Sequence, residues 1–227
     1  MSVLMEREID KLKKKIMSIG TLVEENVRRS IQTIKNMDKK VVDEVNEIDD
    51  KIDQWEVEIE EECLKILALH QPVAIDLRFI IAVLKINNDL ERVGDHAVNI
   101  VNQSLALHQK HSGSTDFDFT EMVEKVQMML KNSLDALVNL DTELAQKVRI
   151  ADDEVDDLHR QMYVKVEESI KKDKESTGYM MNMMQISRNL ERIADLSTNI
   201  AEDVIYMIQG EIIRHSPDLT SSDIKMK

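Results

Sequence analysis

One fourteen-residue stretch occurs twice in this chain of 227 residues, and the two copies stand a constant 100 residues apart. The first reads Asn87-Asn88-Asp89-Leu90-Glu91-Arg92-Val93-Gly94-Asp95-His96-Ala97-Val98-Asn99-Ile100. The second reads Ser187-Arg188-Asn189-Leu190-Glu191-Arg192-Ile193-Ala194-Asp195-Leu196-Ser197-Thr198-Asn199-Ile200. Leu90, Glu91, Arg92, Asp95, Asn99 and Ile100 recur as Leu190, Glu191, Arg192, Asp195, Asn199 and Ile200, and Asp89 is matched by Asn189, which keeps an oxygen donor. Earlier landmarks repeat at an offset of 103: Asn36-Met37-Asp38 with Asn139-Leu140-Asp141, and Asp49-Asp50-Lys51-Ile52-Asp53 with Asp152-Asp153-Glu154-Val155-Asp156. Such duplication restricts the chain to an architecture of two similar halves.

Each copy has helical periodicity. Residues four apart on an α-helix drift only about 40° around the axis, so Glu91, Asp95 and Asn99 share one stripe, with Asn88 and Asn102 in the same sector. Glu191, Asp195 and Asn199 do the same, joined by Glu202. Leu90, Val93, Ala97 and Ile100 fall on the opposite side, as do Leu190, Ile193 and Ile200, and these faces should pack against neighbouring helices.

The rest of the chain extends that pattern. Apolar residues recur at steps of three and four over 2–35 (Ile9, Leu12, Ile16, Ile19, Val23, Val27, Ile31) and over 39–69 (Val41, Val45, Ile48, Ile52, Trp55, Ile59, Cys63, Ile66). Asp38 suits an N-cap. Pro72 is acceptable in the first turn of a third helix, expected over 72–107. The loop-like 108–119 region, centred on Ser112-Gly113-Ser114-Thr115, divides the halves. Three further helices follow, over 120–138, 142–172 and from Ser176 or Thr177 to about 213, with a polar tail from Asp218. Aromatics are only 3% of the residues, with 5 Gly and 2 Pro, which disfavours a sheet protein. The expected fold class is all-α: two tandem three-helix bundle repeats, six long antiparallel helices, with the first repeat over 1–111 and the second over 112–227.

The net charge of −14 opposes nucleic-acid binding. A single cysteine, Cys63, rules out an intrachain disulfide and reads as a small buried side chain. The chain has no apolar signal core and no run of about 18 apolar residues, so the expectation is a cytoplasmic protein that meets the membrane only through partners.

Most acidic helix faces are simply solvated. Here the stripe lacks lysine and appears twice with the same oxygen donors, which points to a metal site. Stacked carboxylates with amide oxygens suit magnesium, manganese or iron, and carboxylates held close together need a cation, a proton or solvent to relieve their repulsion. The candidate ligands are Glu91, Asp95, Glu191 and Asp195, with Asn99, Asn199 and Glu202 as lesser ones. Asp49 with Asp53, and Asp152 with Asp156, each share a face of the preceding helix and could lie across from the motif carboxylates. His96 reads as a surface histidine rather than a ligand, and Met180, Met181, Met183 and Met184 mainly as core. The chain has no nucleophile–base set, phosphate loop or zinc-finger spacing, so no catalytic reaction and no organic cofactor are expected.

Gln71-Pro72-Val73-Ala74-Ile75-Asp76-Leu77-Arg78, followed by Asn88-Asp89-Leu90-Glu91-Arg92-Val93-Gly94-Asp95-His96-Ala97 and by the second copy from Asn189 to Ile200, resembles the PhoU family of phosphate-signalling regulators over essentially the whole chain. The resemblance implies six helices in two repeats and a negative regulator of phosphate uptake. It implies as partners the ATPase subunit of a phosphate ABC transporter and a sensor histidine kinase, in transcription-linked signalling. It also implies iron or zinc clusters at Glu91, Asp95, Glu191 and Asp195. Where the second copy of the family often has His after its Asp, this chain has Leu196, which would weaken the second site if that histidine is a ligand. Homodimerisation is expected through apolar helix faces. A carboxylate-bridged metalloenzyme and a metal-free co-chaperone or adaptor are the alternatives, since a helical bundle does not fix function.

Overall fold

The computed structural model describes residues 3–110 and 118–211, and all secondary structure among them is helical. The elements are α1 (Val3–Lys35), α2 (Lys39–His70), α3 (Ile75–Lys110), α4 (Thr120–Asn139), α5 (Thr142–Lys172) and α6 (Thr177–Gln209). The divide at 111/112, the Ser112–Thr115 centre of the loop and the tail from Asp218 lie outside the described residues.

Local chemistry sets most boundaries. Asp38 caps α2 by accepting from the Lys40 backbone N–H, and Asp141 caps α5 by accepting from Glu143 and Leu144. Two expectations need correction. First, α3 begins at Ile75 rather than at 72, because Gln71 and Ala74 both adopt left-handed backbone (φ 48°) and the chain between them turns instead of winding. Second, α6 stops at Gln209, because Gly210 takes φ 77° and its N–H closes onto the Tyr206 carbonyl, a left-handed cap that glycine adopts without a Cβ penalty. Ser176 stands at the N-cap position of α6 but does not cap it; its hydroxyl donates to the Asp173 carbonyl at 2.8 Å.

Each half is a three-helix bundle: α1, α2 and α3 pack on one another, as do α4, α5 and α6. The halves join chiefly through α3 against α6, the most extensive helix pair in the molecule, and also through α1 against α4. Lys85 pairs with Asp203 and His96 with Asn189, so α3 and α6 run antiparallel. The core is continuous across the halves. It includes Leu12, Ile19, Ile52 and Ile59 from the first and Met129, Leu130, Ile186 and Leu190 from the second. Leu90, Val93, Ala97, Ile100 and their counterparts Leu190, Ile193 and Ile200 are fully buried. Burying each large aliphatic side chain contributes about 1.5–3 kcal/mol. Cys63 is buried too, and burial pushes its thiol pKa up to about 12. Of the four clustered methionines, Met183 is buried, Met180 and Met184 pack against the core, and Met181 is exposed.

No helix among the described residues is long and apolar enough to cross a membrane.

Candidate metal centre

The apolar sides of α3 and α6 are taken up by the core, so their acidic stripes face outward, toward α2 in the first half and α5 in the second. In the second half one carboxylate oxygen from each of Asp156, Glu191 and Asp195 lies within 4.8 Å of the others. Asp152, one turn before Asp156, completes the group; burial and then the charges of Asp195 and Asp156 push its pKa up to about 7, while the Thr198 hydroxyl works the other way. Glu191 and Asp195 are also held above the usual carboxylate range, each first by burial. The Asp195 charge then raises Glu191, and Asp156 raises both, against Arg192.

In the first half the equivalent acids act on one another through charge, but among the described residues only the second half brings ligand oxygens of three acids within 4.8 Å. Asp49 on α2 reaches about 6 through burial, then the charges of Asp53, Asp95, Asp50 and Glu91. Glu91 is raised by burial, then by Asp95, Asp53 and Glu56. Asp156 thus joins Glu191 and Asp195, with Asp152 near enough to be raised by their charges, while Asp49 and Asp53 lie within electrostatic reach of Glu91 and Asp95. Each cluster is built from two helices. Close packing helps: a Cβ on residue 94 would stand 2.8 Å from Asp49 Oδ1 and 3.3 Å from Ile52 Cδ1, so Gly94 makes room for that carboxylate against α3. The second half has Ala194 at this position.

Other residues fall elsewhere. Glu202 is ion-paired with Arg149 of α5 at 3.3 Å. Asn99 and Asn199 follow one turn beyond the motif aspartates, the first exposed and the second half-buried. His96 differs from the surface histidine expected: it is half-buried, and its Nδ1 stands 2.9 Å from Asn189 Oδ1 across the seam between the halves. Burial outweighs that bond and lowers its pKa below the ordinary value, so the ring is neutral near neutral pH. Leu196, at the equivalent place, is buried in the core. Glu56 was missed in the sequence. It sits three residues after Asp53 on α2, and that spacing was the available signal.

The donor set fits a hard or borderline cation. Its atoms are carboxylate oxygens, and two of them (Asp49 Oδ1 and Asp152 Oδ1) are buried without a hydrogen-bond partner. Buried acceptors of this kind call for a proton or a cation. The surroundings contain no pair of E-x-x-H elements of the di-iron type.

A family model, the PhoU domain, matches residues 16–104 and again 119–204, one match in each half. The chain belongs to the PhoU family. It is 34% identical over 209 residues to a phosphate-specific transport system accessory protein PhoU homolog of Pseudomonas aeruginosa, covering 92% of this chain and 86% of that one. Identity to the protein of the same description from Aquifex aeolicus is also 34%, covering 92% and 95%. Among solved structures, the crystal structure of PhoU from Pseudomonas aeruginosa superposes with a TM-score of 0.86 at 33% identity, covering 91% of this chain and 99% of that one. Membership places the chain among regulatory accessory proteins of phosphate uptake and not among enzymes.

Proposed function

We propose that the chain is a negative regulator of phosphate uptake and phosphate signalling. It acts in the cytoplasm as a metal-binding adaptor between the ATPase subunit of a phosphate ABC transporter and a sensor histidine kinase. Family membership over both halves supports the regulatory part, and the names of the relatives support association with a phosphate transport system. A homodimer paired through apolar helix faces is part of the proposal.

The metal part rests on one observation above all: carboxylate oxygens of Asp156, Glu191 and Asp195 converge within 4.8 Å, with the buried, unpartnered Asp152 Oδ1 beside them. Glu191, Asp195, Asp156 and Asp152 would hold one ion or small cluster, and Glu91, Asp95, Asp49 and Asp53 the other. Iron, zinc, magnesium and manganese all accept carboxylate oxygen. A bound cation would invert the charge of an otherwise acidic face, which changes what that face can dock against.

The test is metal analysis of protein purified without chelators, together with capture by the transporter's ATPase subunit. Wild type should retain or recruit metal and bind the subunit. Glu91→Ala with Asp95→Ala, and Glu191→Ala with Asp195→Ala, should each lower metal content. Absence of metal after generous supply sinks the metal part, and failure to bind the subunit sinks the adaptor part.

A further inference from the structure

The two copies of the motif contain identical arginines at identical spacing, yet their side chains go to different places. Arg92 has Asp89 three residues before it and Asp95 three residues after. Its Nη1 lies 3.4 Å from Asp89 Oδ1. Arg192 has Asn189 and Asp195 in the same positions. Its Nη1 lies 2.8 Å from Asp195 Oδ2, and its Nε 3.6 Å from Glu191 Oε2.

Two substitutions between the copies bear on this choice: Asp89 against Asn189, and Asn88 against Arg188, whose charge also acts on Glu191. The Asp89 side chain is only 9% exposed, and a carboxylate so far out of water needs a cation. Arg92 supplies one, so its ion pair is made outside the first cluster, although its charge still opposes the rise at Glu91. Asn189 carries no charge. Its carbonyl oxygen is engaged by His96 at 2.9 Å and its amide donates to the Gln185 carbonyl at 2.8 Å. Nothing there attracts a guanidinium, so Arg192 turns to the motif carboxylates.

We propose that Arg192 is a built-in counter-cation of the second acidic cluster, positioned by the Asp89-to-Asn189 difference, and that it competes there with a metal ion. In the first cluster the motif arginine acts on Glu91 only through its charge, its ion pair being made with Asp89. This inference rests on the metal-binding reading above and deepens it: an asparagine that ligates nothing directs a cation onto one of the two sites. Arg192 itself is 45% exposed, so its pairing is weak enough for an ion to displace.

The experiment measures Mn²⁺ affinity by equilibrium dialysis in two backgrounds. Glu91→Gln with Asp95→Asn leaves only the second site; Glu191→Gln with Asp195→Asn leaves only the first. In the first-blocked background, Arg192→Gln should tighten Mn²⁺ binding about two- to fivefold, the range expected for removing one exposed ion pair. In the second-blocked background, Arg92→Gln removes the same charge and should tighten binding clearly less than Arg192→Gln does at the second site. Asp89→Asn should release Arg92 toward Asp95 and weaken the first site by a similar factor. Asn189→Asp should act as Arg192→Gln does; because it buries a charge, Arg192→Gln is the deciding variant. Equal tightening by Arg192→Gln and Arg92→Gln, or no tightening by Arg192→Gln, overturns the proposal while leaving metal binding intact. Absence of Mn²⁺ binding in both backgrounds overturns the metal reading and this inference together.

Discussion

Asp152 shows how far a single residue departs from its ordinary chemistry in this fold. Its Oδ1 is buried without a hydrogen-bond partner, and burial with the neighbouring charges moves its pKa from 3.8 to about 7. A carboxylate raised in the folded state holds its proton across a window where the unfolded chain has already lost it. Stability therefore falls as pH rises through that window, from about 4 to about 7, and is level above it. Asp49, raised to about 6, contributes in the same direction over a shorter range. His96 and His159, both lowered chiefly by burial, act oppositely, because their folded state resists protonation below the ordinary histidine value. Comparison with Asp152→Asn isolates the term. Metal-free wild type should lose stability relative to that variant between about pH 4 and 7, with the variant ahead above pH 7 by on the order of 1–2 kcal/mol after solvent screening. Parallel pH profiles of denaturant midpoints for the two proteins would show that Asp152 titrates ordinarily.

At the level of elements, the duplicated Asn-x-Asp turns do the same work with unequal yield. Asp38 accepts one backbone N–H from the first turn of α2, whereas Asp141 accepts two from α5, both at 3.0 Å. Loss of an N-cap costs about 1 kcal/mol. Asp38→Ala and Asp141→Ala should each destabilise the protein by about that amount, the second more than the first, as urea midpoints at unchanged m-value. A reversed order would mean that the caps contribute through something other than these hydrogen bonds. The same elements show why two helix ends were misplaced in the sequence. Left-handed geometry at Gln71 and Ala74 is rare for such residues and leaves no compositional mark. Gly210 did leave one, since glycine is the common residue just past a helix end, but the apolar Ile212 and Ile213 beyond it masked the stop.

The whole molecule is two copies of one bundle that do not stand apart. The α3–α6 pair is the broadest contact, and the core runs through it. Lys85 reinforces the seam: its ammonium lies 3.3 Å from buried Asp203 and 4.9 Å from the centre of the Tyr206 ring. The halves should therefore unfold together. Trp55, the single tryptophan, sits on α2 and reports the first half by fluorescence, while far-ultraviolet circular dichroism reports both. The two transitions in urea should coincide. Leu190→Ala, in the second half, should lower the Trp55 midpoint as well, for a cost of about 2–5 kcal/mol. A fluorescence transition unmoved by that substitution would establish two independent folding units.

What the sequence determined by itself is everything that depends on spacing along one helix. Six helices, two repeats, the buried faces of α3 and α6 and the Glu91/Asp95 and Glu191/Asp195 stripes all follow from a rise and turn that every helix shares. Its duplication also made the Asp49/Asp53 and Asp152/Asp156 pairs visible, though not that they would face the motif carboxylates. That required the register of α2 on α3 and of α5 on α6, which packing decides. The antiparallel seam between α3 and α6 likewise brings together residues some 90 to 120 positions apart, such as His96 with Asn189 and Lys85 with Asp203. The destination of Arg92 was equally out of reach, because it has two carboxylates at helical distance, Asp89 and Asp95, whereas Arg192 has only Asp195. Only the burial of Asp89, a property of the assembled core, draws one away from its cluster and leaves the other in place.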